Sequence, residues 1–161
     1  MTQMRVQRKG AIFEDTAKAF GLDDVKELKR GVLEEMADLL VKLSPVDSGT
    51  YVKNHEIGLR SGRFKATGMR DPNVERRSRG DNVSVNGAKE EAGQLLADDI
   101  EQVDLAAESF VIRNIMEYSK YIEAGITGKR DQVNPPPYAS TAREAPRIIQ
   151  EVAQKIASRN R

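Results

Sequence analysis

Cysteine and tryptophan are absent from this chain of 161 residues, and histidine occurs once, as His55. Without cysteine there is no disulfide and no thiol nucleophile, and a single histidine cannot supply the usual ligand set of a transition metal. No phosphate-binding loop, dinucleotide-binding motif, nucleophile elbow or zinc-protease motif occurs either. The sequence therefore predicts no catalytic, cofactor-binding or metal-binding residue, and a protein that is not an enzyme.

Aromatic residues and long apolar runs are also scarce. Aromatic residues make up 5% of the chain, against 39% hydrophobic and 32% charged residues, which is typical of a soluble domain with a modest aliphatic core. No apolar run is long enough to cross a membrane, and the basic N-terminus lacks the apolar segment of a secretory signal. We expect a single domain over residues 1–161, made in a cytoplasm, with residues 1–10 as a flexible arm.

Charge is nearly balanced over the chain but not within residues 60–80. The chain has 26 basic and 25 acidic residues, whereas this segment has seven basic residues against Asp71 and Glu75, a local charge of 7 − 2 = +5. The seven are Arg60, Arg63, Lys65, Arg70, Arg76, Arg77 and Arg79. Glycine and proline interrupt any regular structure, so we expect a mobile basic loop over residues 60–82. Such a loop is either only solvated or contacts phosphate or an acidic protein surface.

Three segments have the apolar periodicity of helices. In the first, Asp24 is a suitable N-cap with Glu27 three residues later, and Pro45 ends the helix. The second, residues 88–105, has an acidic polar side that is either a solvated face or a docking face for a basic neighbour. The last begins at Tyr138 with an a/d-like apolar seam, and we expect it to pack on a sheet: Tyr138, Ala142, Ala145, Ile149, Val152 and Ile156.

Three short runs have the composition of β-strands. Residues 51–59 have the alternating side-chain pattern of a strand. Residues 109–114 form an apolar β-type run. Val83-Ser84-Val85 is a further short strand candidate. The lone His55 falls in the first of these runs, where a structural or surface role is more common than a catalytic one.

The stretch from Tyr118 to Tyr138 is predicted to be a shaped surface element between a strand and a helix. Tyr118 and Tyr121 lie three residues apart, so they share one face of a helical turn, and Gly125 can end that turn in a left-handed conformation. The three prolines at 135–137 then hold an extended arm. We expect this element to contact a partner or a second copy through Tyr118, Tyr121, Glu123, Gly125, Pro136, Pro137 and Tyr138.

Taken together, these segments resemble a known family. Ser44-Pro45-Val46-Asp47-Ser48-Gly49-Thr50, which follows a long amphipathic helix, resembles a turn of the neck and tail-completion proteins of tailed bacteriophages. The stretch Tyr118-Ser119-Lys120-Tyr121-Ile122-Glu123-Ala124-Gly125 resembles the Tyr-x-x-Tyr-[Val/Ile]-Glu-x-Gly stretch of that family. Pro135-Pro136-Pro137-Tyr138 resembles its proline arm, which contains an aromatic residue and opens the final helix. The order of these segments covers roughly residues 22–158.

The resemblance implies an α+β fold, a small antiparallel sheet with a long N-terminal helix and a C-terminal helix packed on it, with the long basic loop inserted. It also implies a homo-oligomeric ring in the virion that contacts connector or adaptor, tail-tube or terminator proteins, and no membrane. Residues 60–80 and 88–105 enlarge the hairpin region of the family, and Tyr51 stands where Leu is common. A tail-completion, tail-terminator or connector-adaptor role therefore stays open.

A second function class is compatible with the same sequence. The chain could be a nucleic-acid-binding protein that acts through the basic loop 60–80, and a ring could also meet packaged DNA in its lumen by this loop. Phe64 is the one aromatic residue among the arginines, which disfavours single-strand binding by base stacking.

Overall fold

The computed structural model describes residues 2–5, 21–46, 49–59, 84–117, 119–125 and 135–159. In chain order the described elements are β1 (Thr2–Arg5), α1 (Leu22–Leu43), α2 (Thr50–Lys53), β2 (His55–Leu59), α3 (Val85–Gln102), β3 (Phe110–Asn114), α4 (Ser119–Glu123) and α5 (Pro137–Arg159). The predicted α+β class is confirmed, with a small antiparallel sheet and long helices toward both ends of the chain.

The sheet has the order β1-β3-β2, and both pairings are antiparallel. Strand β3 is central, and its Asn114 lies opposite both Thr2 and His55. Residues 2–5 were expected in a flexible arm, whereas the structure pairs them with Val111–Asn114 of β3. Backbone hydrogen bonds to a neighbouring strand can hold a polar segment that composition alone marks as loose.

The predicted strand over residues 51–59 is divided in two. Gly49 has φ 82, in the left-handed region, and accepts the hydrogen bond of the Lys53 N–H through its carbonyl oxygen. The chain therefore turns through the buried helix α2 before β2 begins at His55. Of the predicted strand at residues 83–85, Val83 lies outside the described residues. The prediction is wrong for the other two, because the Ser84 hydroxyl caps α3 by accepting from the Gly87 N–H at 3.1 Å and Val85 is already helical.

Helix α1 begins earlier than its sequence pattern indicates. Gly21 is the N-cap, and the carboxylate of Asp24, the residue predicted for that role, accepts the Gly21 N–H from inside the first turn at 3.2 Å. The helix ends at Leu43, just before Pro45 as predicted. Its most deeply buried side chains are Leu28, Met36 and Leu40, each at most 1% exposed.

Helix α5 packs along α1 and runs through Pro146 without ending. Its buried positions include Thr141 and Ile148, which the predicted seam lacked, while Ala142 of the seam is exposed. The reason is geometric: a straight helix turns every 3.6 residues, so a strict seventh-residue repeat drifts off the buried face. The aliphatic core lies between α1, α3, α5 and the sheet.

Helix α3 runs from Val85 to Gln102, about three residues before the predicted bounds at both ends. Its apolar side, Ala88, Ala92, Leu96 and Ile100, is buried in the core. From its acidic side, Asp99 Oδ2 accepts the Ile57 N–H at 2.9 Å, so the helix covers the outer edge of β2. No helix in the described ranges is long and apolar enough to cross a membrane.

Candidate functional site

His55 lies at the start of β2 and is buried, with 1% of its surface exposed. Its ring is held by three other elements. Nε2 lies 2.8 Å from Ser44 Oγ at the end of α1, and Nδ1 lies 2.7 Å from the Tyr138 hydroxyl of α5 and 3.1 Å from Asn114 Nδ2 of β3. We call these four residues, Ser44, His55, Asn114 and Tyr138, the His55 cluster.

The neighbours of the ring determine which nitrogen carries the proton. Asn114 Oδ1 accepts the Met116 N–H at 2.9 Å, and its Nδ2 also donates to the Tyr51 carbonyl at 2.8 Å, which fixes the amide orientation. His55 Nδ1 therefore faces a donor and must accept. The Ser44 hydroxyl donates to the Leu40 carbonyl at 2.7 Å, so its oxygen accepts from His55 Nε2–H. These contacts fit the tautomer that carries its proton on Nε2.

Tyr138 is enclosed by its own chain, with 2% of its surface exposed. Burial raises the pKa of its hydroxyl well above the ordinary value, and the nearby Tyr51, Glu123 and Glu56 raise the pKa further. The hydroxyl therefore keeps its proton and donates to His55 Nδ1. Tyr138 was expected to contact a partner or a second copy, whereas its side chain packs inside its own chain in the structure.

Glu123 connects α4 to the beginning of α5. Its carboxylate accepts the Tyr138 N–H at 2.7 Å and the Ala139 N–H at 3.3 Å, both in the first turn of α5. These are N–H groups that a helix leaves without an intrahelical partner, and a negative charge there also complements the helix dipole. Glu123 therefore holds α4 to α5 and is engaged inside the chain rather than turned toward a partner.

The proline arm leads into α5, and Gly125 ends the turn of α4. The Pro136 carbonyl accepts the Ser140 N–H at 2.9 Å, so Pro137 is the first residue of α5, where proline needs no N–H partner. Pro137 is buried and Pro136 half-buried. Gly125 has φ 76 and its N–H donates to the Ile122 carbonyl at 3.0 Å. The predicted left-handed end of the α4 turn is confirmed.

Tyr121 differs from the other predicted contact residues because it faces outward. Half of its surface is exposed, and the Lys120 ammonium lies 5.0 Å from its ring centroid in a cation–π contact. Tyr118 falls outside the described residues, as do Arg60, Arg63, Lys65, Arg70, Arg76, Arg77 and Arg79 of the predicted basic loop. Tyr121 is thus the described member of the predicted contact surface that presents a large side chain to solvent.

A buried ion pair reinforces the sheet beside the His55 cluster. Glu56 and Arg113 lie opposite each other in the β2–β3 register, and Arg113 Nε and Nη2 each lie 3.0 Å from Glu56 Oε2. Glu56 is 1% exposed, so leaving its charge without Arg113 would be costly. This pair occupies the register position next to that of His55 and Asn114.

The cluster also includes Asn114, which sequence reasoning did not single out. Asn114 ends an apolar run and its buried polar side chain belongs to no motif, while Ser44 was quoted only as the first residue of a turn. The one available signal in the sequence was a polar residue at a position where the spacing of the strand or helix would place an apolar one, as at His55, Thr141 and Asn114. In the part of the chain that the structure describes, no three His, Asp or Glu side chains are grouped so that they could hold a metal ion.

No protein-family model, curated protein or solved structure matches the chain. The contacts around His55 and the segments that meet there are consequently the basis for a functional hypothesis.

Proposed function

We propose that this protein is a structural virion protein of a tailed bacteriophage, a ring subunit that joins or completes the tail at the head–tail interface. The observation that supports this most is the convergence of the three segments that resemble the neck and tail-completion family. Ser44 opens the first segment, Glu123 belongs to the second, and Tyr138 ends the third. Ser44 and Tyr138 bind the two nitrogens of one histidine ring, and Glu123 caps the helix that carries Tyr138.

This convergence gives the resemblance a physical basis. Segments that are far apart in the sequence form one unit, in which the buried residues support an exposed turn. Ser119 at the start of α4 is fully buried and Glu123 at its end is tied to α5, so Tyr121 between them is presented on an anchored backbone. Anchored tyrosines are common centres of protein contacts because they bury much area for little lost conformational entropy.

The proposed assembly is a closed ring of identical subunits. In a heterologous contact, the surface around Tyr121 of one copy meets a different surface of the next, and such contacts close when the rotation permits. Its other partners are connector or adaptor proteins on one side and tail-tube or terminator proteins on the other. In this proposal the protein acts in the virion without catalysis, and packaged DNA passes through the lumen.

The mass of the purified full-length protein tests the proposal. We expect multi-angle light scattering to show a species larger than the 17.9 kDa chain, either alone or after mixing with a purified phage connector or tail-tube protein. Tyr121→Ser should abolish that species while the chain stays folded by circular dichroism. Val85→Ser is the matched control, since Val85 is also 50% exposed but lies at the start of α3. A monomer under all these conditions would contradict the proposal.

The alternative function, nucleic-acid binding through residues 60–80, predicts a different result. Duplex DNA would then bind to the monomer, and the affinity would fall with a log–log salt slope of about −0.9 for each neutralised phosphate. Replacing Arg70, Arg76, Arg77 and Arg79 by Ser would reduce both affinity and slope, while Tyr121→Ser would change neither. That pattern would favour the alternative over the ring.

A further inference from the structure

A groove lies between α1 and α5, and its cavity volume is about 320 Å³. That volume is at the small end for a ligand pocket and suits one or two protein side chains. Val152 and Ile156 line it and are buried, so together with Gly31 they give the groove an apolar base. We propose that the Lys120–Tyr121 surface of one copy docks into this groove of the next copy. The contact rests on the proposed function and names the two surfaces that meet in the ring.

The charged side chains of the groove leave it with an acidic excess. Two ion pairs join α1 to α5 there, Lys155 Nζ with Glu35 Oε1 at 2.9 Å and Arg159 Nη1 with Glu27 Oε1 at 2.8 Å. The other charged lining residues are Glu34 and Asp38, which among the described residues make no ion pair, and Arg30. The groove therefore has four acidic and three basic side chains, a charge of 3 − 4 = −1, and favours a cationic occupant.

Asp38 is a carboxyl that an added cation would stabilise in its ionised form. Desolvation raises its pKa, and repulsion from Glu35 raises the pKa further. Glu34 lies four residues before Asp38, so the two carboxylates share one face of α1. An ammonium group placed beside them offsets this repulsion, because it attracts each of the carboxylates.

The α4 surface has the complementary properties. Half of the Tyr121 surface is exposed, and the Lys120 ammonium lies 5.0 Å from its ring centroid, so an aromatic ring and a cation are presented together. In the docked state the ring covers the apolar base of the groove and the ammonium faces Asp38. Aromatic side chains seated in a pocket are frequent centres of binding energy, while complementary charge selects the partner and its orientation.

The positions of the two surfaces require a second copy. Glu123 holds α4 at Tyr138 and Ala139, in the first turn of α5, whereas the groove begins at Val152. The 152 − 139 = 13 residues between them span about 20 Å of helix at 1.5 Å per residue. A tyrosine side chain cannot reach that far, so a chain cannot fill its own groove. Two different surfaces far apart on one subunit are what a head-to-tail ring contact needs.

Crosslinking tests the contact in the full chain, which has no cysteine of its own. Lys120→Cys, labelled with ¹⁵N, is mixed with unlabelled Asp38→Cys and treated with a short bis-maleimide that spans the separation of a lysine–aspartate ion pair. We expect mixed dimers, identified by mass spectrometry, in clear excess over those from Lys120→Cys mixed with Glu101→Cys. Glu101 is the matched control because it is also an exposed acidic residue, but on α3. Equal yields in the two mixtures would overturn the proposal.

A charge exchange tests the orientation of the contact. Under the condition in which the wild-type chain assembles, Lys120→Glu and Asp38→Lys should each weaken assembly by about tenfold or more in sedimentation velocity. The double variant Lys120→Glu/Asp38→Lys should restore it, and Lys120→Glu/Glu101→Lys, which has the same net charge, should not. Circular dichroism confirms that each variant is folded, and the crosslinking result stands if one is not.

The remaining outcomes separate this contact from the ring itself. A weakening by Asp38→Lys but not by Lys120→Glu would mean that another segment or protein occupies the groove, and would overturn the proposal. Assembly of the wild-type chain without the specific crosslink or the charge rescue would overturn this contact and leave the ring. A chain that stays monomeric and gives no specific crosslink would contradict both.

Discussion

Gly31 of α1 lies directly beneath Val152 of α5: a Cβ atom placed on Gly31 would lie 2.7 Å from Val152 Cγ1. Carbon atoms do not approach this closely, and the stiff valine side chain cannot swing aside. Gly31 therefore allows the two longest described helices to pack at a distance that any larger residue would prevent. The same glycine weakens α1 by about 1 kcal/mol against alanine, and the close packing explains why it is there.

This contact predicts a coupled pair of mutations. Gly31→Ala should destabilise the protein by about 1–3 kcal/mol through overpacking, in spite of the gain in helix propensity. In the Val152→Ala background, the same substitution should cost much less, because the clashing methyl group is absent. Chemical denaturation of the four members of this double-mutant cycle measures the coupling.

Gly93 in α3 is the matched control for that cycle. A Cβ atom there would meet nothing within 4 Å, so Gly93→Ala should stabilise the protein by up to about 1 kcal/mol. A stabilising Gly31→Ala would show that the helices do not pack as described.

Tyr138 and Tyr121 should respond in opposite ways to substitution. Tyr138→Phe removes a buried hydrogen bond to His55 and should lower the free energy of unfolding by about 1 kcal/mol, while Tyr138→Ala should cost about 3–5 kcal/mol. Tyr121→Phe and Tyr121→Ala should change it by less than about 0.5 kcal/mol. Thermal denaturation of the four variants decides the question, and equal losses at both positions would contradict the assigned burial.

Glu123 is expected to stabilise α5 from outside the helix. Glu123→Gln keeps an acceptor oxygen but removes the charge, and Glu123→Ala removes both, so losses of about 0.5 and about 1–2 kcal/mol are expected. Glu117→Gln, at an exposed position before α4, is the control and should be neutral. Amide exchange at Tyr138 and Ala139 should accelerate in the Glu123 variants alone. Unchanged exchange there would argue against the cap.

Because of Asp38 on α1, we expect the stability of the protein to have a small pH dependence. Its sign is opposite to that given by an ordinary ion-paired carboxylate. Desolvation raises its pKa, and the neighbouring Glu35 raises it further. The folded state therefore holds this proton to higher pH than the unfolded state, so stability falls as pH rises through the raised pKa. Asp38→Asn should raise the melting temperature slightly at pH 7, and less in high salt because the residue is exposed. A lower melting temperature in Asp38→Asn would contradict this assignment.

Much of the fold could be predicted from local patterns, since α1, α5, β3 and the left-handed turn at Gly125 each have a signal within a few residues. The His55 cluster could not. His55, Ser44 and Asn114 become neighbours only through the β2–β3 register and the packing of α1, which no short segment encodes. The position of Tyr138 shows the same limit: its aromatic ring after a proline arm is compatible with a surface contact or a core anchor, and tertiary packing decides.

The edge strand β1 and the division of residues 51–59 into a helix and a strand were not predicted, for related reasons. Residues 2–5 are mostly polar, and their strand depends on pairing with β3 rather than on their own propensity. The alternation from Tyr51 onward resembles a strand, but left-handed Gly49 starts a helical turn and delays β2 to His55. Pairing with a distant strand therefore outweighed the local sequence pattern in β1. The left-handed backbone of one residue, Gly49, outweighed it in the second run.

The location of the protein in phage particles tests the central proposal most directly. Particles of the tailed phage whose genome encodes the protein should be imaged by negative-stain electron microscopy after labelling the protein with a specific antibody fragment. The proposal predicts label at the junction of head and tail, with free heads and free tails accumulating when the gene is inactivated. Particles that contain no copy of the protein, and that form normally without it, would contradict the proposal.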